Sequence, residues 1–463
     1  MDTIQKKVDP SSRAEWDTPS YILVHKPGEE VISGSLFPPG ALYVGSFDPY
    51  EAQREHEAFT RRLQQELPAT TIKDVTDVIL ENATGQLLDN LRALAAERIP
   101  TYKNEAQPDL ENCLNISRYC ALELASPQTL IQHILQSYAI TAQQNKDDKN
   151  TGVKQQTKTT PLGNLVFLRD QQITTDKGVV VGNMNSLQRE PETHFMKLVY
   201  QALGFTPIYE VSAQERLEGG DFIPAGDIAF QGVGLRTKFG AVKELLEQGC
   251  YGYNEVAVVI DRQPDRSEPE MSEMHLDTFF NVSSRGKCVV LTDRVEEGNP
   301  KECYVVVFTK NSEGMYRVAH KNDLFAGRTV QQREYEHGQE KYPMFPFREY
   351  LRAKDVKIIG LSKQEQKAFA PNFLTIGEDK VIVVDIAAKE EMRDFFKRFD
   401  DKFSKKFGPQ KFFDTTIDYT RLGAEYMNKL SKDNIHVIPV RFNHLNMLYG
   451  GPHCYTQIFR GMR

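Results

Sequence analysis

Two hydrophobic periodicities divide this chain into regions of different structure. Between residues 72 and 145, apolar residues recur every three or four positions, as in Leu87–Leu94, and this spacing predicts amphipathic helices. After Pro161, short apolar runs take over and predict buried strands. A strand at Tyr21–His25 and a helix from Pro49 to about Leu67 precede the helical region.

The elements predicted after Pro161 alternate in a regular order. The predicted strands are Leu165–Leu168, Val179–Val181, Ile228–Gln231, Val256–Ile260, Val289–Leu291, Tyr304–Phe308, Val356–Ile359, Phe373–Ile376, Val381–Asp385 and Val437–Val440. The predicted helices are Glu192–Leu203, Gly240–Gln248, Lys389–Phe407 and Tyr419–Leu430. This order predicts a repeated ββαβ unit. A doubly wound sheet is the alternative, but no glycine-rich phosphate loop follows an early strand.

These changes of pattern predict the domain organisation. Residues 18–71 and 161–463 are expected to form the main α/β domain, and residues 72–145 an all-helical insertion. Residues 146–160 are polar and lysine-rich, so we expect a mobile loop there.

Composition narrows the class of protein. The 463 residues are 40% hydrophobic and 26% charged, which allows a large core, and the formal net charge of −7 argues against nucleic acid or acidic membranes as partners. The sequence has no apolar run of membrane-span length and no apolar signal peptide at its N-terminus. Its six cysteines form no Cys-x-x-Cys pair, so we expect a reduced, cytoplasmic protein without a zinc site.

Candidate chemistry is concentrated in three kinds of segment. Cys454 follows a glycine-proline turn that leaves its backbone accessible, which makes its thiol a candidate nucleophile. His275 and Asp277 alternate with bulky apolar residues, so in an extended segment both would share a face. Glu218 and Asp221 flank a double glycine. The structural alternatives are a buried histidine balanced by aspartate and a turn with solvated acids.

Six motifs in order resemble those of a known family. They are Asn164-Leu-x-Phe-x-Arg-Asp170, Arg189 with Glu192-Thr193, Glu218-Gly-Gly-Asp221, Gly232-x-Gly-x-Arg-Thr237, Met274-His-Leu-Asp-Thr278 and Gly450-Gly-x-His-Cys454. The set resembles the arginine deiminases of the guanidino-group-modifying, or pentein, superfamily, from about Tyr21 to the C-terminus. The resemblance implies a five-bladed α/β propeller of ββαβ units, with a helical insertion and a central site.

The resemblance also implies residue roles. Cys454 would be the nucleophile and His275 the general acid–base, with Glu218 beside the histidine. Asp170 and Asp277 would bind the guanidinium, which carboxylates hold through forked hydrogen bonds. The resemblance further implies that Arg189 and Arg236 bind the α-carboxylate of the substrate and that Asn164 helps them to do so. Phe167 would form a wall of the pocket. No metal and no cofactor would be required.

The implied reaction is hydrolysis of free L-arginine to citrulline and ammonia through a covalent cysteine intermediate. Three positions depart from the family pattern: Tyr449 replaces an arginine, Pro452 a glycine and Leu235 a glutamate. The segment Met274–Asn281 is also similar to arginine:glycine amidinotransferases. An arginine dihydrolase that yields ornithine, an amidinotransferase and a non-catalytic arginine-binding protein therefore stay open, and a homo-oligomer is expected.

Overall fold

The computed structural model describes residues 10–98, 108–144, 153–262, 270–407, 414 and 416–461. Its helices are α1 (Glu29–Ser35), α2 (Pro49–Glu66), α3 (Val75–Asn82), α4 (Gly85–Arg98), α5 (Pro108–Leu124), α6 (Pro127–Gln136), α7 (Glu190–Ala202), α8 (Phe239–Glu247), α9 (Lys321–Phe325), α10 (Phe347–Ala353), α11 (Lys363–Lys367), α12 (Glu390–Phe407) and α13 (Tyr419–Lys432). Among these, a helix with the length and apolar composition of a membrane span is absent.

The strands complete a mixed α/β fold. They are β1 (Tyr21–Val24), β2 (Thr71–Asp74), β3 (Tyr138–Gln144), β4 (Val153–Thr159), β5 (Gln172–Thr174), β6 (Val179–Val181), β7 (Tyr209–Glu210), β8 (Phe222–Ala225), β9 (Ile228–Val233), β10 (Glu255–Ile260), β11 (Phe280–Ser284), β12 (Lys287–Leu291), β13 (Tyr304–Lys310), β14 (Tyr316–Val318), β15 (Arg333–His337), β16 (Glu340–Pro346), β17 (Lys357–Leu361), β18 (Leu374–Gly377), β19 (Lys380–Val384), β20 (His436–Val440) and β21 (Gln457–Phe459).

One strand-pairing pattern recurs in five sheets of the described residues. An antiparallel pair is followed, after a helix, by a third strand parallel to the middle one. The sets are β5-β6-β7, β8-β9-β10, β11-β12-β17, β18-β19-β20 and β21-β1-β2. We call each set a unit. The helix is needed because a parallel pair requires a crossover connection. In the second unit, β13–β16 extend the sheet.

Strong burial explains why ten of the 21 described strands could be predicted. All six residues of β10 are buried, as are the last four of β19, and such strands appear as continuous apolar runs. The prediction of a strand at Leu165–Leu168 is wrong, because Gly163–Val166 forms a 3-10 turn. A short apolar run has no periodicity that separates a strand from a buried turn.

The helical region is partly as expected. Helices α3, α4 and α6 share one apolar core with α7, through residues such as Val78, Leu91, Ile134 and Phe195. The region is not all-helical, since β3 occupies its end. Of the predicted mobile loop, the described part, Val153–Thr159, forms β4 and pairs with β3, while residues 146–152 lie outside the described residues. Polar side chains do not prevent a hairpin, because its hydrogen bonds join backbone groups.

We expect Phe280→Ala to lower the free energy of unfolding by about 3–5 kcal/mol, the usual result of truncating a buried phenylalanine. Phe280 is fully buried, and its ring centroid lies 4.9 Å from that of Phe230 and 5.1 Å from that of Phe347. Chemical denaturation would measure the change. The control is Phe37→Ala, since Phe37 is 69% exposed. Equal destabilisation by both variants would contradict this account of the core.

Candidate active site

The candidate residues occupy equivalent places in the repeated units. Each lies within three residues of the first strand of its unit: Asp170 before β5, Asp221 before β8, Asp277 before β11 and Cys454 before β21. Because the units share one strand order, these positions are brought together from distant parts of the sequence. Asp170 and Cys454 line one cavity together with His275, and its volume is about 290 Å³.

A buried ion pair places the histidine in this cavity. The Nε2 atom of His275 lies 2.8 Å from Oε2 of Glu218, and its Nδ1 atom lies 3.9 Å from Oδ1 of Asp170. Burial alone would lower the pKa of His275, but Asp170, Glu218 and Asp221 outweigh it and raise this pKa to about 9. The same pairing holds the pKa of Glu218 at about 2 despite its burial.

The double glycine explains how two acids reach one histidine. A Cβ atom at Gly220 would lie 2.6 Å from Nδ1 of His275, so only glycine allows this approach. Oδ1 of Asp221 accepts a hydrogen bond of 2.9 Å from the backbone N–H of Leu276. The expected extended segment is wrong here: residues Leu276–Thr278 form a 3-10 turn, so His275 and Asp277 do not alternate along a strand.

The thiol of Cys454 lies among acidic groups. Its Sγ atom is 3.6 Å from Oδ2 of Asp277. Burial, Asp277 and Asp170 raise the pKa of this thiol well above its usual value. In this state the cysteine is a neutral thiol at neutral pH, because the thiolate is the form that burial and nearby negative charge disfavour.

Asp277 belongs to a buried network behind the thiol. Its Oδ2 atom is 2.8 Å from Nδ1 of His453, and Nε2 of His453 is 3.5 Å from Oε1 of Glu15. Arg460 donates a hydrogen bond of 2.6 Å to Glu15. Glu15 was not predicted from the sequence, because the polar N-terminal segment has no pattern that indicates burial. Asp277 thus links the Cys454 thiol to this network, while Asp170 lines the cavity beside it.

The two arginines predicted to bind the α-carboxylate of the substrate differ in how firmly other residues already hold them. Arg189 lines the cavity, but it donates hydrogen bonds of 2.9 Å to Asp170 and 2.9 Å to Glu192. Arg236 also lines the cavity, with Nη1 3.9 Å from Oε1 of Glu218. The buried partner Glu192 shows why Arg189 can stay charged inside the protein, and the sequence analysis assigned no role to it.

The remaining predicted residues form walls of the cavity. Phe167 lines it beside Cys454, and a Cβ atom at Gly450 would lie 2.5 Å from the Phe167 ring. Asn164 also lines it, and its Nδ2 atom donates 2.8 Å to the carbonyl of Ala41. Tyr449 also lines the cavity; it has a positive φ of 97°, and its ring meets that of Phe369 edge-on.

One group in the described residues has the spacing of a metal site. Asp170, Glu218 and His275 each offer a ligand atom, and these atoms lie within 4.8 Å of one another. The same acids already face Arg189 and Arg236, so a metal ion would meet two positive side chains. The absence of a required metal stays a prediction.

The arrangement suits a planar cation. Oδ1 of Asp170 and Oδ1 of Asp277 are buried and have no hydrogen-bond partner within the described ranges. An unpaired buried carboxylate oxygen is unfavourable, and a guanidinium offers several N–H donors to it. A thiol and a protonated imidazole lie beside these oxygens.

A family model described as arginine deiminase matches residues 42–460. The chain belongs to the arginine deiminase family. It is therefore a guanidino-group hydrolase. An arginine deiminase of Halobacterium salinarum is 26% identical, with 98% of each chain covered. One of Streptococcus agalactiae is 26% identical over 58% of this chain and 66% of its own. The solved structure of DDAH from Pseudomonas aeruginosa, covering 96% of this chain and 100% of its own, is 12% identical with a TM-score of 0.47.

We expect Glu218→Gln to lower the pKa of His275 from about 9, because the imidazolium loses a hydrogen-bonded carboxylate. NMR titration of the histidine rings would measure it. The raised pKa stabilises the folded state fully below pH 6.5, and this contribution disappears as the pH rises through about 9. Glu210→Gln, which removes an exposed partner of Lys197, is the control. A His275 midpoint that is the same in both variants would contradict the assignment.

Proposed function

We propose that this arginine deiminase-family chain hydrolyses free L-arginine to L-citrulline and ammonia. The observation that carries the proposal is the convergence of the Cys454 thiol, the His275–Glu218 ion pair and Asp170 on one cavity of about 290 Å³. A thiol, an imidazolium and unpaired carboxylate oxygens are the groups that attack on a guanidinium requires.

Substrate binding would activate the nucleophile. The guanidinium would donate hydrogen bonds to Asp170 and Asp277, whose charge helps to keep the Cys454 thiol protonated. A cation beside these acids offsets their effect, so the thiol loses its proton to water when substrate arrives. The thiolate then attacks the central carbon of the guanidinium and forms a carbon–sulfur bond.

His275 would move the protons. As an imidazolium it donates a proton to the departing nitrogen, so that the carbon–nitrogen bond breaks and ammonia leaves. The neutral imidazole then takes a proton from water, which attacks the same carbon. The carbon–sulfur bond breaks, and citrulline and the thiolate are released. Glu218 favours the charged form that begins this sequence.

Recognition of the α-carboxylate would fall to the two arginines. Arg236 lines the cavity and is held only at 3.9 Å from Glu218. Arg189 is bound to Asp170, and the incoming guanidinium would compete for that carboxylate. We infer that Arg189 keeps its contact with Glu192 and turns toward the substrate carboxylate, with Asn164 beside it and Phe167 against the methylene chain.

We infer that the five units are arranged around the cavity as a five-bladed propeller, which would explain why equivalent positions of different units meet there. The main domain would then comprise residues 18–71 and 161–463, with residues 72–145 as an insertion. A homo-oligomer in the cytoplasm stays a prediction.

Quantifying citrulline, ornithine and ammonia after incubation with L-arginine tests the reaction. We expect one citrulline and one ammonia per arginine, and none from Cys454→Ser, whose hydroxyl is a weaker nucleophile. That variant should still bind arginine in calorimetry. Ornithine with two ammonias would instead identify a dihydrolase, and guanidinoacetate after addition of glycine an amidinotransferase. Arginine binding by the unaltered protein without any product would support a binding protein.

We expect Arg236→Ala to raise the KM for L-arginine about 10- to 100-fold, since a charged hydrogen bond contributes about 1.5–3 kcal/mol. Agmatine lacks the carboxylate, so its KM should change much less. Any indirect effect through Glu218 would alter both substrates, and their ratio removes it. Arg285→Ala, at an exposed turn residue, is the control. Equal changes for both substrates would refute a carboxylate contact.

A further inference from the structure

Asn372 lies in the turn before the first strand of the unit β18-β19-β20. In each of the other four units, this turn holds a candidate residue. Asn372 lies directly before Phe373 and β18, as Asp170 lies before β5 and Cys454 before β21. The side chain is 1% exposed. The sequence analysis passed over it, although Asn372 immediately precedes the strand predicted at Phe373–Ile376.

The Asn372 side chain holds the backbone that carries the thiol. Its Oδ1 atom accepts hydrogen bonds from the N–H of Gly451 at 3.0 Å and from the N–H of Cys454 at 3.2 Å. Its own carbonyl accepts the N–H of His453 at 3.2 Å. Three N–H groups of the turn that ends at the nucleophile are thus satisfied by one residue, which fixes the turn without regular secondary structure.

Asn372 also forms hydrogen bonds with the segment that carries His275 and Asp277. Its Nδ2 atom donates 3.3 Å to the backbone carbonyl of Asp277. Asn281, in β11 just after that aspartate, donates to the carbonyls on both sides of Asn372, 3.1 Å to Pro371 and 2.9 Å to Phe373. A Cβ atom at Gly451 would lie 2.9 Å from the Asn372 carbonyl, so the two segments are in close contact.

We propose that Asn372 is the positioning residue that sets the thiol of Cys454 against Asp277 and the bound guanidinium. Its side-chain oxygen holds the turn at residues 451–454, and its side-chain nitrogen holds the backbone of Asp277, so one amide joins the two segments. The inference rests on the proposed role of Cys454 as nucleophile. Asn372 would thus meet a need that the acids and the histidine do not meet. The Cys454 sulfur must be held within reach of the central guanidinium carbon before the thiol ionises.

The amide also affects the charge state of the sulfur. Burial, Asp277 and Asp170 raise the pKa of Cys454, whereas the nearby Asn372 amide and the N–H of Gly451 act in the opposite direction and lower it. An amide donor near a thiolate stabilises the charged form. Loss of Asn372 should therefore slow thiol reactions that involve no arginine.

The test compares two variants by alkylation and by turnover. Asn372→Ala removes both ends of the amide, and Asn372→Asp keeps the acceptor but replaces the donor by negative charge. We expect alkylation of Cys454 by iodoacetamide at pH 8 to slow about tenfold in each, because less of the thiol is ionised at that pH. We also expect kcat for arginine to fall about 100-fold in Asn372→Ala, because the Cys454 sulfur would be displaced from the reacting carbon. The change in KM should be much smaller.

Two references make the comparison specific. Peptide mapping reports each thiol, so the exposed Cys113 serves as an internal standard for the reagent. Asn311→Ala is the matched control, because Oδ1 of Asn311 likewise accepts two backbone N–H groups, from Glu313 at 3.0 Å and Met315 at 2.9 Å, in a turn between β13 and β14. It should leave alkylation of Cys454 and kcat unchanged.

Wild-type alkylation of Cys454 in both Asn372 variants would overturn the proposal, as would a kcat loss no greater than in Asn311→Ala. If Asn372→Ala does not fold, the nearly isosteric Asn372→Asp decides by the same two measurements. The alkylation rate needs no turnover. An unaltered protein that fails to hydrolyse arginine would therefore refute the proposed function, while the rate comparison would still decide the role of Asn372.

Discussion

The structure depends above all on the burial of several carboxylates around one thiol. Asp170, Glu218 and Asp277 are almost inaccessible to water, and an unpaired charge in such a place is strongly unfavourable. Each therefore has a partner: Arg189, His275 and His453 respectively. Two of the carboxylate oxygens, Oδ1 of Asp170 and Oδ1 of Asp277, have no hydrogen-bond partner in the part of the chain that the structure describes. A cationic planar ligand would pair with both, and this links the stability of the site to its chemistry.

Repetition of one unit solves the problem of assembling that cluster. The functional segments lie far apart in the sequence, yet each occupies the turn before the first strand of its unit. A turn at this place is short and buried, and its side chain direction is fixed by the strand that follows. Glycines at positions 220 and 450 then allow the side chains to approach each other more closely than a Cβ atom would permit. The site is thus precise because the scaffold beneath each group is the same.

The sequence predicted those parts of the fold that follow from local burial. Strand β10 and helix α13 could be predicted because an uninterrupted valine-rich run and a three-to-four residue spacing each have few alternatives. The polar hairpin β3–β4 could not be predicted, because backbone hydrogen bonds hold its strands together and impose no pattern on the amino-acid sequence. The motifs identified the residues of the candidate site but not their pairing. That Arg189 is held by Asp170 and Glu192, and that Asn372 belongs beside Cys454, are tertiary facts with no signature in either segment.

The sheet that carries the nucleophile joins opposite ends of the chain. Strand β21, just after Cys454, pairs with β1, where Ile22 lies opposite Ile458. Contacts between residues so distant in sequence form late in folding, because a long loop must close before they gain any stability. Loss of the pairing of β21 with β1 would therefore release the segment that carries the reactive sulfur, while Asp170, Asp221 and Asp277 stay attached to other sheets.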